Sequence, residues 1–364
     1  MKSSPLRVLI DAREFIHGRL TGIGRVLEGL SDALSDSRIA EEIVLAATLI
    51  EAVPLKLRNR ENIKTQSIPS SFLKSEKALS RLSKQDFSLF ISPYPKLPLF
   101  GCQCDAVHTI HDVLDLTHPA YKRRFKVIFD RFRLKMALKK ASLTWFDSSW
   151  SLEETKKYVG TVGRNPRVRF PGLDEKLKEK EQRMEEDVLK KYGLGPGYVL
   201  SVGNGLPHKN LGVLLEIADK ISRQIVFAGV SRKNQQFWRS RYPGAKPIWI
   251  EHVSEEDMST VMRGSFCLAQ PSTAEGYGYP PLEAMACGVP AVVSQIPVLA
   301  ETSGGNALFA DPGDPQAWIA AFDALENKDV HQDQVEKGLR WVEPLLGREG
   351  WSKHLSDLKE LLNK

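Results

Sequence analysis

Short apolar runs recur along the chain, and each is followed by a longer stretch in which apolar positions fall three and four residues apart. The first run, Arg7-Val-Leu-Ile-Asp11, has the character of a short buried strand, and a glycine-bearing loop leads from it into a helical pattern over about 24–34. Further strand-like runs lie at 43–49, 87–92, 107–110 and 143–146, separated by helix-compatible polar stretches. Such alternation predicts a parallel sheet flanked by helices. Residues 174–187 are almost wholly charged and lose all β character, which predicts a linker running into a helix. Beyond them the rhythm restarts, with strands at 198–202, 225–228, 248–250, 266–269 and 291–293. The chain thus divides into two similar halves, 1–172 and 173–346. A tail over 341–364 carries two tryptophans and a helix-spaced set, Trp351, Leu355, Leu358, Leu361 and Leu362, that must bury one face.

Composition narrows this picture only a little. A chain of 364 residues, 42% hydrophobic and 26% charged, is too long for one comfortable core, so two domains are expected. No run approaches a membrane span, and the N-terminal apolar stretch at 8–10 is too short for a secretory leader; a cytoplasmic protein is the expectation. The four cysteines, Cys102, Cys104, Cys267 and Cys287, lack the paired spacing of a zinc site or disulfide framework and read as reduced thiols. A net charge of +6 suggests an anionic partner, whether nucleotide, lipid headgroup or nucleic acid.

The most specific motif is Glu275-Gly-Tyr-Gly-Tyr-Pro-Pro-Leu-Glu283, between the strand at 266–269 and a short helix that Pro281 can start and Gly288 can end. Gly276 and Gly278 let the backbone approach a ligand closely, and the amides there and at Tyr277 and Tyr279, with the positive end of the helix, suit a diphosphate. Glu283, expected in the first helical turn, can accept hydrogen bonds from ribose hydroxyls, and Glu275 from a second sugar. The plain alternative is a tight turn in which Glu283 only complements the helix dipole.

A second loop, Val202-Gly-Asn-Gly-Leu-Pro-His-Lys-Asn210, follows a strand and places Lys209 near a helix start, where its charge suits a departing diphosphate or simply faces solvent. His111 and Asp112 end a strand at the edge where doubly wound sheets bind ligands, although a lone histidine is more often structural. Thr21-Gly-Ile-Gly-Arg25 is a glycine loop short of a dinucleotide fingerprint. Over 122–140, cations interleave with Phe125, Ile128, Phe129, Phe132, Leu134 and Leu138. The simple expectation is that the apolar side packs inward while the cations face water or an anionic membrane.

In this order the motifs resemble those of the retaining GT-B glycosyltransferases of the large "group 1" class, family 4. The resemblance spans nearly the whole chain and is tightest over 271–290, where the spacing of Glu275 and Glu283 is similar to the family's E-x7-E signature. It implies two Rossmann-like domains facing each other across a cleft, a donor held mainly by the C-terminal one, and a final helix, about 347–364, crossing back to the first domain. It implies further that Glu275 holds the donor sugar, Glu283 the ribose, and Lys209 the diphosphate, with backbone at Gly22 and Gly24 closing on it and His111 near the reacting centre. Val230 and Val253 would border the nucleobase. Family chemistry implies metal-independent transfer with no cofactor, the leaving diphosphate helping to deprotonate the acceptor. The substrates implied are GDP-mannose or a UDP-sugar and a glycan or polyprenyl-linked glycan; apart from the resemblance, the basic pattern of 122–140 allows peripheral membrane contact, and no nucleic acid is expected as a partner. One departure stands out: many relatives carry an arginine where this chain has Asn204, so Arg25, Arg232 or Lys233 substitutes, or donor affinity is modest.

A sugar-nucleotide 2-epimerase shares this architecture but not the full signature over 275–283. An NAD-dependent oxidoreductase lacks its complete glycine loop and acidic ribose ligand. A noncatalytic basic module would rest on charge and on 122–140 alone.

Overall fold

The computed structural model describes residues 6–16, 21–117, 124–178 and 185–362. Two compact units divide the chain, one of Met1–Gly172 together with Leu345–Lys364, the other of Leu173–Pro344.

The first unit is built on seven parallel strands, β1 (Arg7–Asp11), β2 (Glu42–Ala47), β3 (Ile63–Ser67), β4 (Leu89–Ser92), β5 (Asp105–Ile110), β6 (Leu143–Phe146) and β7 (Pro166–Val168), in the order β3-β2-β1-β4-β5-β6-β7. Helices α1 (Gly22–Ser37), α2 (Leu55–Arg58), α3 (Phe72–Leu82), α4 (Leu114–Thr117), α5 (Arg124–Lys140) and α6 (Ser149–Val159) connect them. Thr21 caps α1 by accepting a hydrogen bond from the Gly24 amide, and Arg38, in the left-handed region at φ 55°, ends it. The central strands are buried on both faces, which is why they appear in sequence as continuous apolar runs.

The second unit repeats the plan. Its strands β8 (Tyr198–Val202), β9 (Ile225–Ala228), β10 (Ile248–Ile250), β11 (Ser265–Gln270), β12 (Ala291–Ser294) and β13 (Leu308–Ala310) are all parallel and ordered β10-β9-β8-β11-β12-β13. Eight helices accompany them: α7 (Glu185–Lys191), α8 (Leu211–Glu216), α9 (Arg232–Arg241), α10 (Glu255–Arg263), α11 (Tyr279–Ala286), α12 (Pro297–Thr302), α13 (Pro315–Glu326) and α14 (Lys328–Val342). Side-chain alternation along each strand feeds two cores. Val199 and Phe227 join Trp238 and Trp318 on one face of the sheet, while Leu200 and Val226 join Met262 and Leu268 on the other.

After α14 the chain returns to the first unit as α15 (Ser352–Leu362). Asp357, on α15, accepts hydrogen bonds from the Trp145 indole of β6 at 3.0 Å and from Arg169 at 2.8 Å through two nitrogens. Trp351 lies flat against two glycines: a Cβ at Gly29 would come within 2.6 Å of its ring and one at Gly172 within 2.5 Å. These contacts cover the tail's apolar face. The tail begins later than the pattern suggests, because Trp341 ends α14 in the second unit and donates to the Thr302 carbonyl at 2.8 Å.

Three strands escaped the apolar pattern, and each is a sheet edge. β3 buries only Ile63 and is otherwise polar and exposed or half-exposed, β7 opens on a proline, and β13 is three residues long. The charged stretch expected as a linker contains a 3-10 turn at Glu175–Lys178 and the start of α7, and its middle, 179–184, lies outside the described residues. The reading of the basic segment needs correction. Residues 122–123 lie outside the description, and within α5 the inward side is Arg133, Leu134, Ala137 and Leu138, while Ile128, Phe129 and Phe132 point to solvent. Its apolar residues fall on two faces rather than one, so an inward stripe cannot take them all. Among the described residues no helix is long and apolar enough to cross a membrane.

Candidate active site

In open parallel sheets, ligands bind beyond the carboxyl ends of the strands where the strand order reverses. In the second unit that point lies between β8 and β11, and the two loops leaving those strands carry the two most specific sequence motifs. The loop after β8 ends in a 3-10 turn, Pro207–Lys209, which presents Lys209. The loop after β11 carries Glu275. Lys209 Nζ donates to Glu275 Oε1 at 2.7 Å. Glu275 Oε1 also accepts from Ser272 Oγ at 2.6 Å and Gln270 Nε2 at 2.5 Å. Every one of these bonds falls on the same oxygen, so Oε2 keeps its accepting capacity. Burial alone would raise the Glu275 carboxyl, but the Lys209 charge and the hydrogen bonds from Lys209 and Ser272 outweigh it and hold the group below the usual carboxylate range. Gln270 had no sequence signal of its own, and Ser272 had only its place in the matched stretch 271–290. Their role follows from sitting on the strand end and the first turn beneath Glu275.

The glycine segment beyond Glu275 turns sharply. Gly278 sits in the left-handed region at φ 89°, and a Cβ there would lie 2.5 Å from Leu299 Cδ2, so the position takes only glycine. This corner starts α11 at Tyr279, two residues before the expected proline, and places Glu283 in the second turn rather than the first. Pro280 and Pro281 occupy early helical positions, where a missing amide is cheapest. They also remove two of the helix's own N–H donors, so any anion at this corner relies on the backbone of 276–279. Tyr277 is buried with its ring edge-on to Tyr279 at 5.1 Å, and Glu283 is buried within α11. Gly338 of α14 seats this helix closely, a Cβ there meeting Met285 Cγ at 2.9 Å.

Asn204 spends its side chain on its own loop, Oδ1 accepting from the Leu206 amide at 3.1 Å, while its carbonyl accepts from Asn234 at 2.7 Å. Of the suggested substitutes for the family arginine, Arg232 is almost fully exposed and pairs with Glu251 at 3.0 Å. Val230 and Val253 follow β9 and β10 at the same sheet edge, but their side chains belong to the two cores. At these two positions only the backbone can border a base.

In the first unit, register explains the surroundings of His111. Ile110 pairs with Phe146, so the next residues, His111 and Asp147, emerge side by side. His111 Nδ1 lies 2.6 Å from Asp147 Oδ2, and Nε2 lies 2.8 Å from the Pro93 carbonyl oxygen. Both partners are acceptors, so the ring is a doubly donating imidazolium. Burial would lower its pKa, but the Asp147 charge and hydrogen bond, with the Pro93 carbonyl, raise it to about 9. With both nitrogens engaged, His111 offers no hydrogen bond to a sugar unless it gives one up. At the β1 end, the Thr21 hydroxyl and Tyr94 hydroxyl both donate to Glu14, Tyr94 at 2.8 Å. The Gly24 amide is used by the Thr21 cap at 3.0 Å, which leaves Gly22 and Ile23 as the glycine loop's remaining helix-start amides. The thiols of Cys102 and Cys104, which sequence spacing did not pair, lie 3.6 Å apart without a disulfide. A cavity of about 350 Å³ lined by Gly197, Tyr198, Arg223 and Gln224 lies at the opposite, N-terminal ends of β8 and β9.

Residues 184–341 match the family model of glycosyl transferases group 1. Over 358 residues the chain is 27% identical to the O-antigen chain mannosyltransferase B of Escherichia coli, covering 91% of this chain and 94% of that protein. Among solved structures it is similar to the sucrose-phosphate synthase of Thermosynechococcus elongatus, with a TM-score of 0.81, 17% identity and 99% of each chain covered. The Anabaena HepE protein in complex with UDP-glucose gives 0.76 at 15% identity, over 98% of this chain and 100% of that one. A pair of parallel-sheet α/β units with a charged pair at the second unit's switch point defines the class, that of a glycosyltransferase, and the second unit carries the group 1 glycosyl transferase match over residues 184–341.

Proposed function

We propose that this glycosyltransferase binds a nucleotide-diphosphate sugar at the β8/β11 switch point and transfers the hexose, mannose in our reading, onto a glycan or polyprenyl-linked glycan, with retention and without a metal. The observation that carries this reading is the pairing of half-buried Lys209 with buried Glu275. Each charge neutralises the other until a donor arrives. A diphosphate then takes over Lys209, and Glu275, relieved of its cation, takes the hexose hydroxyls, while Glu283 takes the ribose. Transfer would consist of positioning and charge stabilisation, with the leaving diphosphate accepting the acceptor's proton. The His111 charge and the helix-start amides of Gly22 and Ile23 are proposed as further contributors. The E. coli relative's name supports mannose and a lipopolysaccharide-type glycan as product. A cytoplasmic setting is part of the same proposal, in keeping with cysteine spacing that spells no disulfide framework.

Calorimetric titration of GDP, UDP, ADP and GDP-mannose into the full chain, with EDTA present, tests the donor. Selective binding of GDP and GDP-mannose is expected, and Glu275→Ala is expected to lose at least about a hundredfold in transfer, consistent with removal of one electrostatic contact to the reacting sugar. Binding only when a divalent ion is restored, or near-normal turnover by Glu275→Ala, overturns the reading.

A further inference from the structure

Seven of the twelve large apolar side chains that stand exposed among the described residues gather on one face of the first unit. Phe72 and Leu73 open α3, Leu99 and Phe100 lie on the loop after β4, and Ile128, Phe129 and Phe132 share one side of α5. They are between 38% and 67% exposed. Continuity of the face is visible in Arg133, whose guanidinium lies 5.6 Å from the Phe72 ring centroid and 6.0 Å from that of Phe129.

A buried polar knot fixes this face in place. Glu76, fully buried on α3, accepts from Arg133 of α5 at 2.9 Å, from the Leu99 amide at 2.7 Å and from Arg13 at 3.1 Å. Arg133 also donates to the Leu97 carbonyl at 3.0 Å. One carboxylate therefore ties the three segments together behind the apolar tips, so their exposure is built in rather than incidental. An apolar patch of this kind marks an interaction surface.

Charge decides what it meets. Lys74 and Lys77 of α3 and Arg131 and Lys135 of α5 are all exposed around the patch, whereas α3 has no exposed acid and the 97–100 loop has none at all. The one acid of α5, Asp130, is half-buried. A second copy of the chain would set these cations against themselves, and a nucleic acid has no use for protruding Leu73, Leu99 and Ile128. Aromatic and aliphatic tips ringed by lysine and arginine match the boundary of an anionic bilayer, where the tips enter the acyl region and the cations meet headgroups.

We infer that this three-segment face of the first unit seats the enzyme on an anionic lipid bilayer, an inference independent of the donor reading. Cosedimentation of the full chain with phosphatidylcholine vesicles, with and without phosphatidylglycerol, tests it. Binding is expected only with phosphatidylglycerol, weakening with added salt. Phe129→Ser/Phe132→Ser and Arg131→Glu/Lys135→Glu are each expected to weaken it by roughly tenfold or more while melting as the parent does by circular dichroism. Equal binding to both vesicle types or to neither, or vesicle binding unchanged in both variants, overturns the inference. So does a concentration-dependent dimer that Phe129→Ser/Phe132→Ser abolishes, which would give the face to a second copy, or heparin binding that outcompetes vesicles and ignores the phenylalanines.

Discussion

At the scale of single residues, the Lys209–Glu275 and His111–Asp147 pairs behave differently because their neighbours differ. Glu275 is surrounded by donors on one oxygen only, so its pairing with Lys209 is exchangeable. His111 is held at both nitrogens by acceptors that belong to the fold, so its charge is a structural asset. A pH prediction follows for the first unit. The folded-state pKa of His111 is raised to about 9 from an ordinary value near 6.5. The stability it contributes is therefore complete below pH 6.5 and is lost as pH rises through 9. Thermal unfolding of the full chain is expected to show the first unit's transition falling across that window, and Asp147→Asn is expected to flatten the dependence while lowering stability throughout. A transition equally pH-dependent in the variant would leave His111 without this role. Sequence alone marked His111 and Lys209 by their places after strands. It could not show Asp147, because that neighbour is set by strand register across 36 residues, nor Gln270, a polar residue closing a strand that nothing in the sequence ties to Glu275.

Among elements, the turn into α11 carries the tightest constraint. Gly278→Ala would place a methyl against Leu299 in a backbone region that alanine seldom visits. The expected cost is about 2–4 kcal/mol, combining backbone strain with overpacking. Nucleotide binding is expected to fall by more than tenfold as the loop shifts, measured by denaturant unfolding and calorimetry on the same variant. Unchanged binding at reduced stability would mean that the loop's shape serves the fold and not the ligand. This turn was largely legible in the sequence, since a glycine before paired prolines specifies a corner, but its phase was not. Moving the helix start to Tyr279 shifts Glu283 by two helical positions, just over half a turn. The central strands were equally legible, because burial on both faces leaves them apolar throughout. Edge strands β3, β7 and β13 were not, because an edge needs no such run. The orientation of α5 was illegible for another reason: it has two apolar faces, and composition does not say which one the sheet will cover.

For the whole molecule, the chain crosses between units twice, at Gly172–Leu173 and at Pro344–Leu345. The last element is therefore a structural part of the first unit. Asp357→Ala would remove the acceptor for Trp145 and Arg169 at once, leaving a partly buried guanidinium unpaired. An expected loss of about 2–4 kcal/mol should fall on the first unit's transition. The second unit's melting and nucleotide affinity should be unchanged, so calorimetric scanning with and without nucleotide separates the two. Loss of nucleotide affinity in Asp357→Ala would show that the tail's influence extends beyond its own unit.

The same closing helix imposes an order on biosynthesis. Trp145 leaves the ribosome 212 residues before its partner Asp357 does. Until the last stretch emerges, β6 and the seat formed by Gly29 and Gly172 lack their cover, while every strand of the second unit has already been made. The unit that begins the chain is thus the last that can finish folding, and a stop codon only a few dozen bases early would leave its victim at the opposite end of the message.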